Sequence, residues 1–207
     1  MIISPSIASS DVLHVADEVD FASRYFDDIH IDIEDGVVVK GITFGMKMAK
    51  GIINRTNKST SLHLEVLRPL DYLQDLIEIN PDVVFVQVDC LDNPEEVIDK
   101  FIESKINVGL ALTNRDMEKD YSKLFEKVNQ ILVLTAYWDD PKQLYQQSLL
   151  NYGLTLSKKY KQKLWLDGGI NYQIYTQLPK DEIYAVVMGR AIFSDKQAAI
   201  RNYVENE

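Results

Sequence analysis

His30-Ile31-Asp32-Ile33-Glu34-Asp35-Gly36 and, further along, Leu62-His63-Leu64-Glu65-Val66 are the stretches on which the reading of this chain turns. In an extended strand alternate side chains share a face. His30, Asp32 and Glu34 therefore point one way, and Ile29, Ile31 and Ile33 the other. The second stretch repeats the pattern, with His63 and Glu65 opposite Leu62, Leu64 and Val66. The apolar faces suit packing against helices. The other faces gather imidazoles and carboxylates, the usual protein ligands of a divalent transition metal. The chain has three histidines, and two of them stand in this pattern. The expectation is a metal site inside an α/β fold.

Working outward, short β-rich runs alternate with amphipathic stretches. Strands are expected at Ile2–Ile7, Ile29–Ile33, Ser61–Val66, Val83–Val88, Val108–Leu112, Gln130–Leu134, Lys163–Asp167 and Tyr184–Met188. Val12, Val15, Ala16, Val19 and Ala22 have helical spacing, with Ser9, Ser10 or Asp11 as N-cap. A helix from Pro94 to about Ser104 has proline in its first turn and Asn93 or Asp92 before it. About eight strands alternating with about eight helices fit a compact (β/α)8 TIM barrel filling residues 1–207 as one domain. A doubly wound open sheet gives the same alternation. The glycine fingerprint of a nucleotide fold is missing after the first strand, where Ser4-Pro5-Ser6-Ile7-Ala8-Ser9 stands instead.

The 207 residues are 46% hydrophobic, enough for one sizeable core. A net charge of −10 without a Lys/Arg block argues against nucleic acid or an anionic membrane as partner. No run approaches the length of a membrane span. The single cysteine, Cys90, has no internal disulfide partner and suits a reducing cytoplasm. A cytoplasmic protein is expected. His14, near Asp17 and Glu18, reads as a surface histidine of the first helix.

Ser4-Pro5-Ser6-Ile7, His30 to Gly36, Ile42-Thr43-Phe44-Gly45, His63-Leu64, Asp167-Gly168-Gly169-Ile170 and Gly189-Arg190-Ala191-Ile192-Phe193 occur in this order. In order and spacing they resemble the ribulose-phosphate 3-epimerase family, over nearly the whole chain. The resemblance implies a TIM barrel of the ribulose-phosphate-binding type. It implies one divalent metal held by His30, Asp32, His63 and Asp167. It also makes Asp32 and Asp167 the pair that exchanges a proton at C3 of a ketose phosphate, and places Ser6 near the C1 end of the substrate. The residue types suit that chemistry. Epimerisation beside a ketone needs a base on one face of the carbon, an acid on the other, and stabilisation of the enediolate between them. A mixed imidazole and carboxylate set accepts Zn, Fe(II), Mn or Co. The expected partner is a small-molecule sugar or sugar phosphate, and a homo-oligomer is compatible with the resemblance.

The chain also departs from the family. Glu34 and Glu65 stand where methionine is usual, on the inward face with the ligands. The glycine-rich phosphate loop after the sixth strand is replaced by Thr135-Ala136-Tyr137-Trp138-Asp139-Asp140-Pro141, whose aspartates would repel phosphate. Gly189-Arg190 replaces Gly-Ser after the eighth strand, so that Arg190 either binds an anion or pairs with a neighbouring acid. Val37-Val38-Val39-Lys40-Gly41 lacks the usual His, Pro and Asn, leaving Lys40 at the substrate entrance or in solvent. Substrate-binding residues are therefore expected at Ser6, Glu34, Glu65, Gly168, Gly169, Gly189 and Arg190. The expected function is a C3 epimerase with a substrate shifted from ribulose 5-phosphate. The competing readings are a non-catalytic sugar- or metal-binding barrel and a lyase or decarboxylase of the same lineage. Against the latter, Asp32-Ile33-Glu34 lacks the lysine of the D-x-K-x-x-D arrangement.

Overall fold

The computed structural model describes residues 1–137 and 142–205. Its strands are β1 (Ile2–Pro5), β2 (Asp28–Glu34), β3 (Ser59–Glu65), β4 (Val83–Gln87), β5 (Val108–Leu112), β6 (Gln130–Leu134), β7 (Lys163–Asp167) and β8 (Ala185–Met188). They form one parallel sheet in the order β1-β8-β7-β6-β5-β4-β3-β2. A parallel bridge between Ser6 and His30 brings the two end strands together, so the sheet closes into a barrel. The open-sheet alternative is thereby excluded. The helices are α1 (Val15–Tyr25), α2 (Met46–Arg55), α3 (Leu73–Ile79), α4 (Pro94–Glu103), α5 (Ser122–Phe125), α6 (Gln147–Tyr160), α7 (Tyr172–Gln177), α8 (Arg190–Phe193) and α9 (Lys196–Tyr203). Among the described residues no helix is long and apolar enough to cross a membrane.

The strand alternation sorts the core into two parts. Outward residues such as Ile29, Ile31, Leu62 and Leu64 are fully buried in the main cluster, which Val19 and Ala22 of α1 and Ala49 and Ile52 of α2 complete. Inward residues at the floor of the barrel form a second cluster that includes Val83, Phe85, Leu132, Trp165 and Val187. There the Phe85 and Trp165 rings meet edge-on at 5.2 Å, and the Trp165 indole N–H donates to Gln130 Oε1 at 3.0 Å. Asp32, Glu34, His63, Glu65 and Asp167 lie nearer the C-terminal ends of their strands, where barrel sites are built.

Two local expectations are corrected. The first helix begins at Val15, and neither Ser9, Ser10 nor Asp11 caps it. Asp11 instead accepts from the Leu13 N–H and pairs with His14 Nδ1 at 2.8 Å, forming a turn before the helix. Val12 and Ala16 are exposed, and the carboxylate-bearing Glu18 is buried in their stead. The first strand stops at Pro5, and Ile7–Ser9 winds into a 3-10 turn. The fourth helix starts at Pro94 with Asn93 capping the Glu96 N–H, as its sequence predicts. Asp167 caps no helix; Asn171 caps α7 by accepting from the Ile174 N–H.

Candidate metal centre

The site begins with register. Parallel pairing of β2 with β3 sets Asp32 beside His63, and one rung nearer the mouth Glu34 beside Glu65. β7 ends on Asp167. One donor atom each from His30, Asp32, His63 and Asp167 lies within 4.8 Å of the others. His30 Nε2 is 3.2 Å and His63 Nδ1 is 3.7 Å from Asp32 Oδ1. Both histidines are fully buried. Neither His30 Nε2 nor His63 Nδ1 has a hydrogen-bond partner. Buried polar atoms left unpartnered are costly, and a cation between them would satisfy both. The residues fit a divalent metal.

Three residues that the sequence did not flag orient this group. Asp28 Oδ2 accepts hydrogen bonds from the hydroxyls of Ser61, at 2.7 Å, and of Ser4. The Ser61 hydroxyl has spent its only proton on Asp28, so it accepts from His30 Nδ1–H at 2.8 Å. The neutral tautomer of His30 is thereby set, with the Nε2 lone pair turned toward Asp32. Their signal was strand parity: Ser4 shares a face with Ser6, Asp28 with His30, and Ser61 with His63. On the other side, the Ser6 hydroxyl donates to Asp32 Oδ2 at 2.6 Å.

The carboxyls differ sharply in protonation. Burial opposes ionisation of Asp32, but His30 and His63 outweigh it and hold this carboxyl far below the usual range. Asp167 is pushed up to about 7, by burial first and by the negative charge of Asp32 second. Glu34 is raised to about 7 for the same two reasons. Glu65 is raised well above its ordinary value by burial and by Asp32, Glu34 and Asp167. Among the described residues no lysine or arginine ion-pairs with any of the four.

A cavity of about 1300 Å3 opens above the cluster, and it is lined by Ser6, Asp32, Glu34, Glu65, Asp167, Gly168, Gly169, Gly189 and Arg190. The residues expected from sequence to bind substrate all line this one cavity. Both glutamates face this cavity, Glu65 buried and Glu34 half-buried, so neither leans out to solvent. Lys40 also lines it, though exposed. Arg190 Nη2 donates to the Lys142 carbonyl at 3.2 Å and to Gln143 Oε1 at 3.1 Å. Its guanidinium thus holds the β6–α6 segment, which neither expectation for it foresaw. Gly169 has φ +74°, and a Cβ there would lie 2.6 Å from the Tyr145 nitrogen, so the same segment packs on a site only glycine fits. Trp138, Asp139, Asp140 and Pro141 lie outside the described residues. Asp35, the last acid of the opening stretch, accepts from the N–H groups of Val37, Val38 and Leu67 and shapes the loop after β2. His14, before α1, is exposed and takes no part.

Comparison with known proteins bears on the family and the fold. The model of the ribulose-phosphate 3 epimerase family matches residues 2–193. The ribulose-phosphate 3-epimerase of Helicobacter pylori strain J99 is 25% identical over 201 residues, 95% of this chain and 92% of that protein. That of Schizosaccharomyces pombe is 25% identical over 196 residues, 92% and 86% of the two chains. Among solved structures, the tryptophan synthase A-subunit of Pyrococcus furiosus superposes with a TM-score of 0.69 at 13% identity, covering 100% of this chain and 93% of that one. Phosphoribosyl anthranilate isomerase of Thermus thermophilus gives 0.67 at 12% identity, covering 93% and 88%. At such identities these two likenesses speak for the barrel alone.

Proposed function

This chain belongs to the ribulose-phosphate 3-epimerase family and is an isomerase of carbohydrate type; from that premise we propose that it epimerises a ketose or ketose phosphate at C3 through an enediolate, with Asp32 and Asp167 as the acid/base pair. The observation that carries the proposal is the convergence of His30, Asp32, His63 and Asp167 within 4.8 Å beneath one cavity. A divalent ion held by these four, whether Zn, Fe(II), Mn or Co, would supply Lewis-acid polarisation of the ketone and hydroxyl oxygens. The protein supplies the proton transfers. Asp32 is held ionised and Asp167 sits near neutrality, the opposed tendencies that an acid and a base require. In one direction Asp32 takes the C3 proton while Asp167 delivers its own to the opposite face; the reverse reaction exchanges the roles. Ser6 fixes the Asp32 carboxylate by its hydroxyl. The floor of aromatic and aliphatic side chains keeps water from below the reacting carbon.

The substrate we propose differs from ribulose 5-phosphate at its far end. Arg190 is engaged with the β6–α6 segment, and Glu34 presents a carboxyl to the cavity. A polyhydroxyl or amino-bearing sugar matches those groups better than a second anion does. We place the enzyme in the cytoplasm as one barrel domain, alone or as a homo-oligomer, with no nucleic-acid partner.

Deuterium entry at C3 tests the reaction. The metal-loaded protein in D2O, followed by NMR with phosphorylated and unphosphorylated ketoses, should label at least one ketose at C3. Asp32→Asn and Asp167→Asn should each slow labelling by roughly 10²–10⁴-fold. Absence of label in every ketose, or full rates in both variants, overturns the acid/base assignment. Labelling of ribulose 5-phosphate at an ordinary enzymatic rate overturns the shifted substrate only.

A further inference from the structure

We propose that Glu65 is a fifth protein ligand of the metal ion, joining His30, Asp32, His63 and Asp167. This rests on the metal-dependent reading above. The placement follows from β3, where Glu65 stands two residues beyond His63 on the same inward face. Glu65 Oε1 lies 3.3 Å from His63 Nδ1, the same unpartnered nitrogen that faces Asp32 Oδ1 at 3.7 Å. Two donors bonded to one ion at about 2.0–2.2 Å, with angles near 90–110°, stand roughly 2.8–3.6 Å apart. The Glu65 oxygen therefore already holds a neighbouring ligand's separation from His63; the other four donors group within 4.8 Å without it, so its side chain closes the remaining gap when the ion binds. The nitrogen it faces has no other partner to satisfy it.

Burial strengthens the case. Glu65 is 8% exposed, and no hydrogen bond or lysine or arginine partner compensates its carboxyl among the described residues. Its other charged neighbours are acids. A buried carboxyl in that setting is either neutral or paired with a cation, and an ion held by the adjacent histidines and aspartates would be that cation. Glu34 on the neighbouring strand is the contrast. It is half-buried and stands beside Gly41 of the β2–α2 loop, where a Cβ would collide with Glu34 Oε2. Its carboxyl has no contact with either histidine. Glu34 is left to the substrate, while Glu65 turns toward the ion.

A set of three carboxylates and two imidazoles is harder than the set without Glu65. It shifts suitability toward Mn or Fe(II) relative to the four-residue set, and it leaves one position fewer for substrate oxygens. The test is spectroscopic and needs no substrate. Purified protein stripped of metal is titrated with Co(II), and the visible absorption and the affinity are recorded for wild type, Glu65→Gln, Glu65→Met, Glu34→Gln and Asp167→Asn. Loss of a ligand lowers the coordination number, so both Glu65 variants should show stronger visible bands. They should bind Co(II) roughly 10–100-fold more weakly, while Glu34→Gln keeps the wild-type spectrum. Unchanged spectra and affinities in both Glu65 variants, with Asp167→Asn weakened, overturn the fifth ligand and leave the four-residue site standing. Failure of the wild type to bind Co(II) overturns both.

Discussion

Ser61 carries no charge and does not line the cavity, yet it determines which nitrogen of His30 is offered toward Asp32. Its hydroxyl is pinned by Asp28, and that one hydrogen bond sets the imidazole tautomer. Ser61→Ala leaves His30 Nδ1 and Asp28 short of a partner at once. Metal affinity should fall by roughly 10–100-fold and stability by about 1–3 kcal/mol. Titration calorimetry with Mn(II) and urea unfolding would measure the two; unchanged affinity would show that Ser61 has no part in orienting the ligand. At this scale the sequence was informative in one respect and silent in another. Strand parity announced that His30, Asp32 and Glu34 share a face. It did not show that Asp28 extends the row, because an acid at the start of a strand reads as a turn residue until a serine from each neighbouring strand is seen to donate to it.

Elements bring a different set of constraints. The eight strands were legible because a barrel strand packs helices on one side and alternates its other face, and both habits leave a pattern in a few residues. The start of α1 was misplaced by the same logic. The apolar spacing of Val12 and Ala16 continues the stripe, but Asp11 ties the chain into a turn and the helix opens only at Val15. The β6–α6 connection shows what no local pattern reveals. Arg190, from the start of α8, donates to Lys142 and Gln143, while Tyr145 rests on Gly169 after β7. Gly169→Ala would meet both a positive φ and the Tyr145 backbone at 2.6 Å. A loss of about 1–3 kcal/mol is expected, measurable as a lower urea midpoint at unchanged slope. A variant as stable as the wild type would mean that the segment moves aside freely.

For the whole molecule, an ion at the proposed site would cross-link β2, β3 and β7, strands drawn from separate parts of the sequence. Any ion bound only by the folded barrel stabilises it by mass action, about 2.7 kcal/mol at a hundredfold excess over Kd. Chelation should therefore lower the Tm of the wild type, and saturating Mn(II) should restore it. His63→Ala should be insensitive to both. Equal Tm values for wild type with and without chelator, after metal analysis confirms removal, would speak against a resident ion.

The sequence by itself determined the alternation of strands and helices and the inward parity of each strand, because both are properties of a few consecutive residues and the backbone period. Tertiary structure alone decided which inward residues become neighbours. The β2–β3 register set Asp32 beside His63 and Glu34 beside Glu65, and the Ser6–His30 bridge closed the sheet. Barrel closure carried Asp167 to the same place from the far part of the chain. It also settled that Glu65 is buried against His63 while Glu34 stays half-open. Distances of that kind depend on strand pairing and closure across the whole chain, and no local pattern encodes them.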